Sequence, residues 1–171
     1  MQVNIRQWRL SDAEDLAEAL NDPSVLNNLR DGLPYPYTVS DAEEFISAML
    51  SANRNDVFAF AITADGKTVG SIGVFRQGNI HCRTAETGYY INRKFWGQGV
   101  ATAAVRKACE YVFENSDIIR IFAEPFADNA ASCRVLEKSG FTQEGVLKCN
   151  AVKNGKIMDM KMYSLIKPSL D

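Results

Sequence analysis

The sequence predicts one α/β domain of the α+β type, with a single mixed, mostly antiparallel sheet of about seven strands and helices on both faces. Three observations support this fold class. The chain has 171 residues, of which 46% are hydrophobic and 23% charged, which suits one domain with an ordinary core. Hydrophobic residues recur with a period of two in some segments and with helical spacing in others. A helical segment near the middle joins two strand-like segments, which is typical of a parallel crossover. We therefore expect one domain over residues 1–171.

The first predicted elements are a strand and a capped helix. Residues 3–9, VNIRQWR, alternate apolar and polar side chains, which predicts a strand. Ser11 lies three residues before Glu14, a spacing that predicts a capping box. We expect this box to open a helix that runs to Leu20.

The region before residue 56 also contains a loop between helical segments. Pro23 starts a short helical piece, PSVLNNL, because proline is favoured in the first turn of a helix. The segment LRDGLPYPYT contains one glycine and two prolines, which predicts a loop. Ser40 lies three residues before Glu43 and predicts a second capping box at the start of an amphipathic helix.

Strands dominate the remainder of the chain. Asp65-Gly66 predicts the tight turn of a hairpin, and Asn154-Gly155 predicts a second turn of the same kind. The elements that we expect here are strands over 57–63, 69–75, 84–91, 118–124, 141–152 and 156–166, with helices over 99–114 and from Asn129 to just before Gly140.

Composition excludes several classes of protein. The net charge is -2 and the isoelectric point is near 5.5, which gives no basic surface for nucleic acid. No apolar run approaches the ~18 residues that a membrane helix needs. The N-terminal residues are charged where a signal peptide would be apolar, so we expect a cytoplasmic protein.

The cysteines and the histidine argue against a metal centre. Four cysteines are scattered without a CxxC pair, and His81 is the one histidine of the sequence. The usual spacings of zinc ligands are absent, so we predict reduced cysteines and no metal.

One segment combines a strand, a glycine-containing loop and a helix. In GYYINRKFWGQGVATAAV, Gly97 and Gly99 allow the backbone to curl and to bring its N–H groups close to a ligand. The first turn of the following helix adds unpaired N–H groups and the positive end of the helix dipole, which together favour a pyrophosphate. The segment lacks the GK[ST] of a Walker loop and the third glycine of the dinucleotide fingerprint. A tight turn without any ligand would explain this motif alone equally well.

A second segment, DNAASCRVLEKSGF, follows about 30 residues later. Asn129 is placed to cap a helix, and Ser132 lies one turn into it. Taken alone, a capped helix with Val135 and Leu136 in the core accounts for the whole pattern.

Together the two segments resemble the GNAT superfamily of acyl-CoA-dependent N-acyltransferases. The phosphate loop of that family is Q/R-x-x-G-x-G/A, and the matching frame here runs from Trp96 to Ala101. Trp96 stands where the family has glutamine or arginine. The form W-G-x-G-x-A-T and the downstream N-x-x-S-x-x-x-L-E-K-x-G-F are similar to the branch that includes the ribosomal-protein N-terminal acetyltransferases. The similarity in element order extends from about Ile5 to Leu165.

The resemblance implies where acetyl-CoA would bind. The cosubstrate would lie in a gap where the strands 84–91 and 118–124 splay apart. Backbone of Tyr90 and Ile91 would pair with the pantetheine, and one of their N–H groups would polarise the thioester carbonyl. Asn129 and Ser132 would border the pantetheine near the thioester. The phosphate-loop residues implied by the same resemblance are Trp96, Gly97, Gln98, Gly99, Val100, Ala101 and Thr102.

Two carboxylates are candidates for the base that removes the amine proton. Glu86 and Glu124 lie on, or at the end of, the two strands that would splay. Carboxylates are unusual inside mostly apolar strands unless they are paired or functional. A salt bridge or an edge position would equally explain Glu86, and Glu124 could simply begin the loop at Pro125.

The acid that protonates the departing thiolate is less obvious. Many members of the superfamily have a tyrosine four residues beyond the position of Ser132, whereas this chain has Leu136. Ser132, Tyr163 or a water could supply the proton, or the thiolate could leave unassisted. We favour Ser132.

The acceptor of the acetyl group is expected to bind near the predicted loop LRDGLPYPYT. Tyr35 and Tyr37 would supply aromatic walls, and Arg30 would supply charge. The acceptor would be a primary amine, either a protein N-terminus or a small molecule, and the enzyme a monomer or homodimer. The alternative is a non-catalytic acyl-CoA-binding or regulatory domain.

Overall fold

The computed structural model describes residues 1–170 and contains seven strands and five α-helices within that range. The strands are β1 (Val3–Arg6), β2 (Val57–Ala64), β3 (Lys67–Arg76), β4 (Thr84–Ile91), β5 (Arg120–Ala123), β6 (Thr142–Lys153) and β7 (Lys156–Ile166). The helices are α1 (Ala13–Leu20), α2 (Pro23–Leu26), α3 (Val39–Ser51), α4 (Val100–Asn115) and α5 (Ala130–Lys138).

All seven strands form one open mixed sheet in the order β1-β2-β3-β4-β5-β7-β6. Every neighbouring pair is antiparallel except β4 and β5, which are parallel. Helix α4 connects these two strands, because parallel neighbours need a crossover. The predicted fold class and the predicted central crossover are therefore confirmed.

Helices cover both faces of the sheet. Alternate residues of β2 point to opposite faces, so Phe58 and Ile62 join the core beneath α4, whereas Ala59 and Ala61 contact the cluster formed by α1 and α3. The larger core packs α4 and α5 against the strands. The two faces of the sheet therefore carry two separate core clusters, and the side chains of β4 contact one or the other.

The two predicted hairpin turns lie where expected. Asp65-Gly66 connects β2 to β3, and Asn154-Gly155 connects β6 to β7. All four residues have positive φ, between 48° and 85°, which the type I′ hairpin turn requires.

The cap of α3 differs from the prediction. Thr38, rather than Ser40, is the N-cap, and its hydroxyl accepts a hydrogen bond from the backbone N–H of Asp41 at 3.1 Å. The carboxylate of Asp41 accepts in return from the N–H of Thr38 at 2.8 Å, so Asp41 takes the place predicted for Glu43. The prediction was wrong because Thr38 and Asp41 have the same three-residue spacing, and Ser40 falls inside the first turn.

The first helix also starts differently. A short 3-10 turn, Leu10–Asp12, precedes α1, and the carboxylate of Asp12 accepts from the backbone N–H of Arg9 at 2.9 Å. The predicted capping box of Ser11 and Glu14 is therefore wrong. Strand β1 ends at Arg6 rather than at residue 9 because the chain turns to bury Trp8 beside α3.

Asp12 is the centre of a buried polar network beneath β1. Its two carboxylate oxygens accept hydrogen bonds from Arg6 at 2.7 and 2.8 Å and from the hydroxyl of Thr68 at 2.8 Å. Burial alone would raise the pKa of Asp12, but the bonds from Arg6, Thr68 and the N–H of Arg9 lower it to about 2. The network therefore ties β1 and β3 to the start of α1.

Replacing Asp12 with asparagine should lower the free energy of unfolding at pH 7 by about 3 kcal/mol, because it leaves a partly buried guanidinium without its counter-ion. Since the folded-state pKa is depressed, the stabilisation is complete above the ordinary value of 3.8 and is lost as the pH falls through about 2. Urea unfolding at pH 7 and at pH 3 measures both effects. Glu18→Gln, which removes an exposed ion pair with Lys94, is the control and should change stability little.

Candidate active site

A cleft opens where β4 and β5 diverge. Strand β4 pairs with β3 from Ala85 to Ile91, but it meets β5 only over Thr84, Ala85 and Glu86. The remainder of β4 has no partner on the β5 side, so the two parallel strands form a V-shaped gap. The cleft at this gap has a volume of about 680 Å³. This is the splay that the sequence resemblance implied.

The glycine loop forms one end of the cleft. Gly97 and Gly99 have φ of 73° and 78°, a left-handed conformation that glycine adopts without steric cost. Gly99 is the N-cap of α4, and its carbonyl accepts the first bond of that helix from Ala103 at 3.1 Å. The N–H groups of Val100, Ala101 and Thr102 precede this first bond, which makes the end of the helix a site for an anion.

Trp96 connects the loop to the end of β4. Its indole N–H donates to the carbonyl of Ile91 at 2.8 Å, which fixes the loop against the strand. The side-chain amide of Gln98 donates to the carbonyl of Lys94 at 2.9 Å, and Gln98 does not line the cleft. Apart from Gln98, every predicted cosubstrate residue borders the cleft: Tyr90, Ile91, Trp96, Gly97, Gly99, Val100, Ala101, Thr102, Asn129 and Ser132.

The start of α5 forms the opposite wall. Asn129 caps this helix as predicted, and its side-chain oxygen accepts from the N–H of Ser132 at 3.2 Å. The hydroxyl of Ser132 lies 2.9 Å from the hydroxyl of Tyr89 on β4. Burial raises the pKa of Tyr89 to about 12, although the hydrogen bond to Ser132 opposes this shift.

Several residues of the cleft were not predicted from the sequence. Tyr89 borders it from β4, and Arg134 and Lys138, one turn apart on α5, add positive charge. The four-residue spacing of Arg134 and Lys138 was a signal that they share one helix face. No local pattern indicates that Tyr89 contacts Ser132, 43 residues away.

The two candidate bases share one cation. Arg30, in the segment after α2, forms an ion pair with Glu86, and the same guanidinium nitrogen lies 3.9 Å from a carboxylate oxygen of Glu124. Burial and the nearby charge of Glu86 raise the pKa of Glu124, and Arg30 opposes this rise. The structure therefore brings the three residues together, and Arg30 is the most exposed of them.

Glu86 lies on the face of the sheet that α1 and α3 cover. Along β4, Glu86 alternates in phase with Tyr90, which packs against the α1 and α3 cluster, whereas Tyr89 points toward α5. Neither Glu86 nor Glu124 borders the large cleft. The Glu86 carboxylate and the Ser132 hydroxyl thus lie on opposite sides of β4.

The predicted acceptor residues have different surroundings. Arg30 and Tyr35 line a second, smaller pocket of about 230 Å³, together with Asp31 and Lys153, which form a 2.7 Å ion pair. Tyr37 is buried among α1 and α3, and its burial raises its pKa to about 12. Tyr37 does not line this pocket, and its assignment as a pocket wall stays a prediction.

The alternative acid, Tyr163, lies away from the cleft. It is fully buried in the core, and its hydroxyl donates to Glu137 at 2.9 Å. Leu136, at the position where many superfamily members have a tyrosine, is also fully buried. Of the residues that could supply the proton, Ser132 borders the cleft.

Within residues 1–170, no three histidine, cysteine or acidic side chains are grouped so that they could hold a metal ion. Over the same residues, no helix has the length and apolar character that a bilayer crossing requires. All four cysteines are free; Cys109 and Cys133 are buried, and Cys82 and Cys149 are exposed.

Comparison with protein families identifies the chain. Residues 2–142 match the model of the acetyltransferase (GNAT) domain. The chain belongs to the GNAT acetyltransferase family. This confirms the family that the motifs around Gly97 and Asn129 indicated, and the protein is an N-acetyltransferase.

Three similar proteins illustrate the range of this family. The uncharacterized N-acetyltransferase p20 of Bacillus licheniformis is 31% identical over 96% of this chain and 93% of its own. RimL, a ribosomal L7/L12 alpha-N-protein acetyltransferase solved with coenzyme A, has a TM-score of 0.85 at 23% identity, covering 97% and 94% of the two chains. The spermidine N-acetyltransferase of Vibrio cholerae, solved with CoA and spermine, has a TM-score of 0.81 at 21% identity, covering 97% and 96%. The two structural likenesses show that this GNAT acetyltransferase has their fold.

Proposed function

We propose that this GNAT acetyltransferase transfers the acetyl group of acetyl-CoA to a primary amine by direct attack while both substrates are bound. The observation that carries the proposal is the cleft between β4 and β5, which ends at the glycine loop and the start of α4. An extended molecule with an anionic end fits a site of this shape. Acetyl-CoA supplies an activated thioester, so the protein needs mainly to position the reactants and to move protons.

Different residues of the cleft bind different parts of acetyl-CoA. The unpaired N–H groups at the start of α4 hold the pyrophosphate, and Arg134 and Lys138 add positive charge beside it. Tyr90 and Ile91, which have no partner on β5, pair with the pantetheine as an added strand would. Asn129 and Ser132 border the thioester end of the cleft.

Glu86 removes the proton from the amine, either directly or through a water. It lies on the face of β4 where the acceptor would approach, beside Arg30. Glu124 is the alternative base, because it contacts the same guanidinium. In either case the acceptor ammonium enters a group of two carboxylates and one guanidinium, whose net charge favours a cation.

The acceptor enters from the pocket that Arg30, Asp31 and Tyr35 line. We favour a protein N-terminus as acceptor, because the motifs resemble the branch of ribosomal-protein N-terminal acetyltransferases. A small-molecule amine remains the alternative, since one fold serves many acceptors. A cytoplasmic location and a monomeric or homodimeric state stay predictions.

Acetyl-CoA should raise the melting temperature of the protein, because a ligand that binds only the folded state stabilises it by about 2.7 kcal/mol at 100 times its dissociation constant. Differential scanning fluorimetry measures the shift, with ATP and NAD as controls that should stabilise the protein much less. Equal stabilisation by ATP would contradict the placement of the pantetheine between the strands.

Release of free thiol from acetyl-CoA then tests the reaction. N-terminal peptides and polyamines, supplied as separate pools, should distinguish the two classes of acceptor. Binding of acetyl-CoA without thiol release in either pool would instead support a non-catalytic acyl-CoA-binding domain.

A further inference from the structure

The cleft contains a pair of hydroxyl groups that the proposed function uses only in part. Tyr89 and Ser132 both border it, and their hydroxyl oxygens are 2.9 Å apart. A second contact joins the Tyr89 hydroxyl to the carbonyl oxygen of Ser132 at 3.3 Å, which is longer and therefore weaker. When Tyr89 donates to the Ser132 hydroxyl, that hydroxyl keeps its own proton free to donate into the cleft.

We infer that Tyr89 and Ser132 form a two-hydroxyl relay that protonates the departing thiolate of coenzyme A. This inference rests on the proposed placement of acetyl-CoA in the cleft. The relay takes the place of the single tyrosine that many superfamily members have at the position of Leu136, which is fully buried here. The second hydroxyl comes from β4 instead of α5.

The surroundings of the pair suit this role. Tyr89 is partly buried, and burial raises its pKa to about 12, so the phenol is protonated at neutral pH and has a proton to donate. The N–H of Ser132 bonds to Asn129, which fixes the serine in the first turn of α5. Cys133 is the titratable neighbour that affects Tyr89, and it is buried and free.

The protons balance in this scheme. As the C–S bond breaks, the sulfur takes the proton of the Ser132 hydroxyl, and the serine oxygen takes the proton of Tyr89. The Tyr89 phenolate regains a proton from water when the products leave the open cleft. The proton that the amine loses goes to the base on the other face of β4 and then to water, so the chain returns to its starting state.

The first test compares kcat among variants that remove one hydroxyl each. Tyr89→Phe and Ser132→Ala should each lower kcat by about 10²-fold, the low end of the range for acid–base groups, with KM for acetyl-CoA little changed. The double variant should be no slower than the slower single variant, because the two groups act as one unit. Tyr163→Phe is the matched control, since it removes a buried hydroxyl that lies outside the cleft.

The second test measures binding without turnover. Wild-type protein should bind coenzyme A about tenfold more tightly than desulfo-coenzyme A, which lacks the sulfur; this ratio corresponds to ~1.4 kcal/mol. Ser132→Ala should bring the ratio close to one, and Tyr89→Phe should give an intermediate ratio. Isothermal titration calorimetry of the wild-type protein and the two variants, each with both ligands, gives these three ratios independently of activity.

The outcomes separate the relay from the function that it rests on. A slow Ser132→Ala with a normal Tyr89→Phe would overturn the relay and leave Ser132 as the acid. A slow Tyr163→Phe with a normal Tyr89→Phe would also overturn it and assign the proton to the core tyrosine. Failure of the wild-type protein to bind acetyl-CoA at all would instead contradict the proposed function.

Discussion

Replacing Glu86 with glutamine should lower kcat by about 10²–10⁴-fold, the range expected when a general base is lost. Glutamine keeps the shape of the side chain but cannot accept the proton of the amine. The dissociation constant of acetyl-CoA should change little, because Glu86 lies on the α1 and α3 side of β4 and does not border the large cleft. Steady-state kinetics with a reactive acceptor, together with calorimetric titration of acetyl-CoA, measures both quantities.

Glu124→Gln is the matched control for the same experiment. Both carboxylates contact Arg30 and are exposed to a similar extent, at 22% of each side chain, so the two substitutions disturb similar surroundings. If Glu124→Gln is the slow variant, the base lies at the end of β5 and the rest of the mechanism stands. If neither variant changes kcat by more than about threefold, far below the range for a base, the amine loses its proton to solvent and the enzyme works by positioning.

Arg30→Gln tests the same three residues, Arg30, Glu86 and Glu124, through the pH dependence of kcat/KM. The guanidinium opposes the rise in the pKa of Glu124 that burial and Glu86 cause. Without that cation, the pKa of Glu124 should rise further, because a nearby positive charge favours the ionised carboxylate. If Glu124 is the base, the acidic limb of the kcat/KM profile should therefore move to higher pH in Arg30→Gln.

Consecutive residues of β4 point to opposite faces of the sheet, on which we propose opposite sides of the reaction. Tyr89 points toward α5 and the hydroxyl of Ser132, whereas Tyr90 and Glu86 point toward α1 and α3. This alternation follows from the two-residue period of a strand. The strand therefore lies between the proposed base, Glu86, and the proposed proton donors, Tyr89 and Ser132, and the proposed thioester position lies at its free edge.

Features that depend on a few adjacent residues were predictable from the sequence. The turns at Asp65-Gly66 and Asn154-Gly155 follow from residues that tolerate positive φ. The glycine loop and the cap at Asn129 follow from motifs of fewer than ten residues. Local patterns failed where two of them competed, as at Thr38 and Ser40, which are both followed by an acidic residue at the right distance.

Contacts between distant parts of the chain were not predictable in the same way. Arg30 and Glu86 are 56 residues apart, and their ion pair exists because the fold brings the segment after α2 beside the first residues of β4. The sequence placed both residues near the acceptor but gave no reason to pair them. The burial of Tyr37 has the same origin, since its neighbours come from α1 and α3.

Replacing Gly99 with valine should weaken the binding of coenzyme A by about 10–100-fold, as expected when one or two charge-assisted hydrogen bonds of ~1.5–3 kcal/mol are lost. Gly99 has a φ of 78° at the start of α4, so a β-branched residue would strain the loop and place its side chain where the pyrophosphate approaches. Calorimetric titration of coenzyme A measures the loss at a temperature where the variant is fully folded.

Gly66→Val is the control that separates a loss of pyrophosphate binding from the effect of backbone strain. Gly66 has a φ of 85°, and an added Cβ at either glycine meets no atom within 4 Å, so both variants suffer from the backbone conformation alone. Each should lose stability by about 1–2 kcal/mol, the cost of a left-handed residue that is not glycine. Only Gly99→Val should lose affinity, because Gly66 lies in the turn between β2 and β3, which does not border the cleft. If Gly99→Val loses stability as Gly66→Val does but binds coenzyme A as the wild type does, the glycine loop is a structural turn and the anion must bind elsewhere.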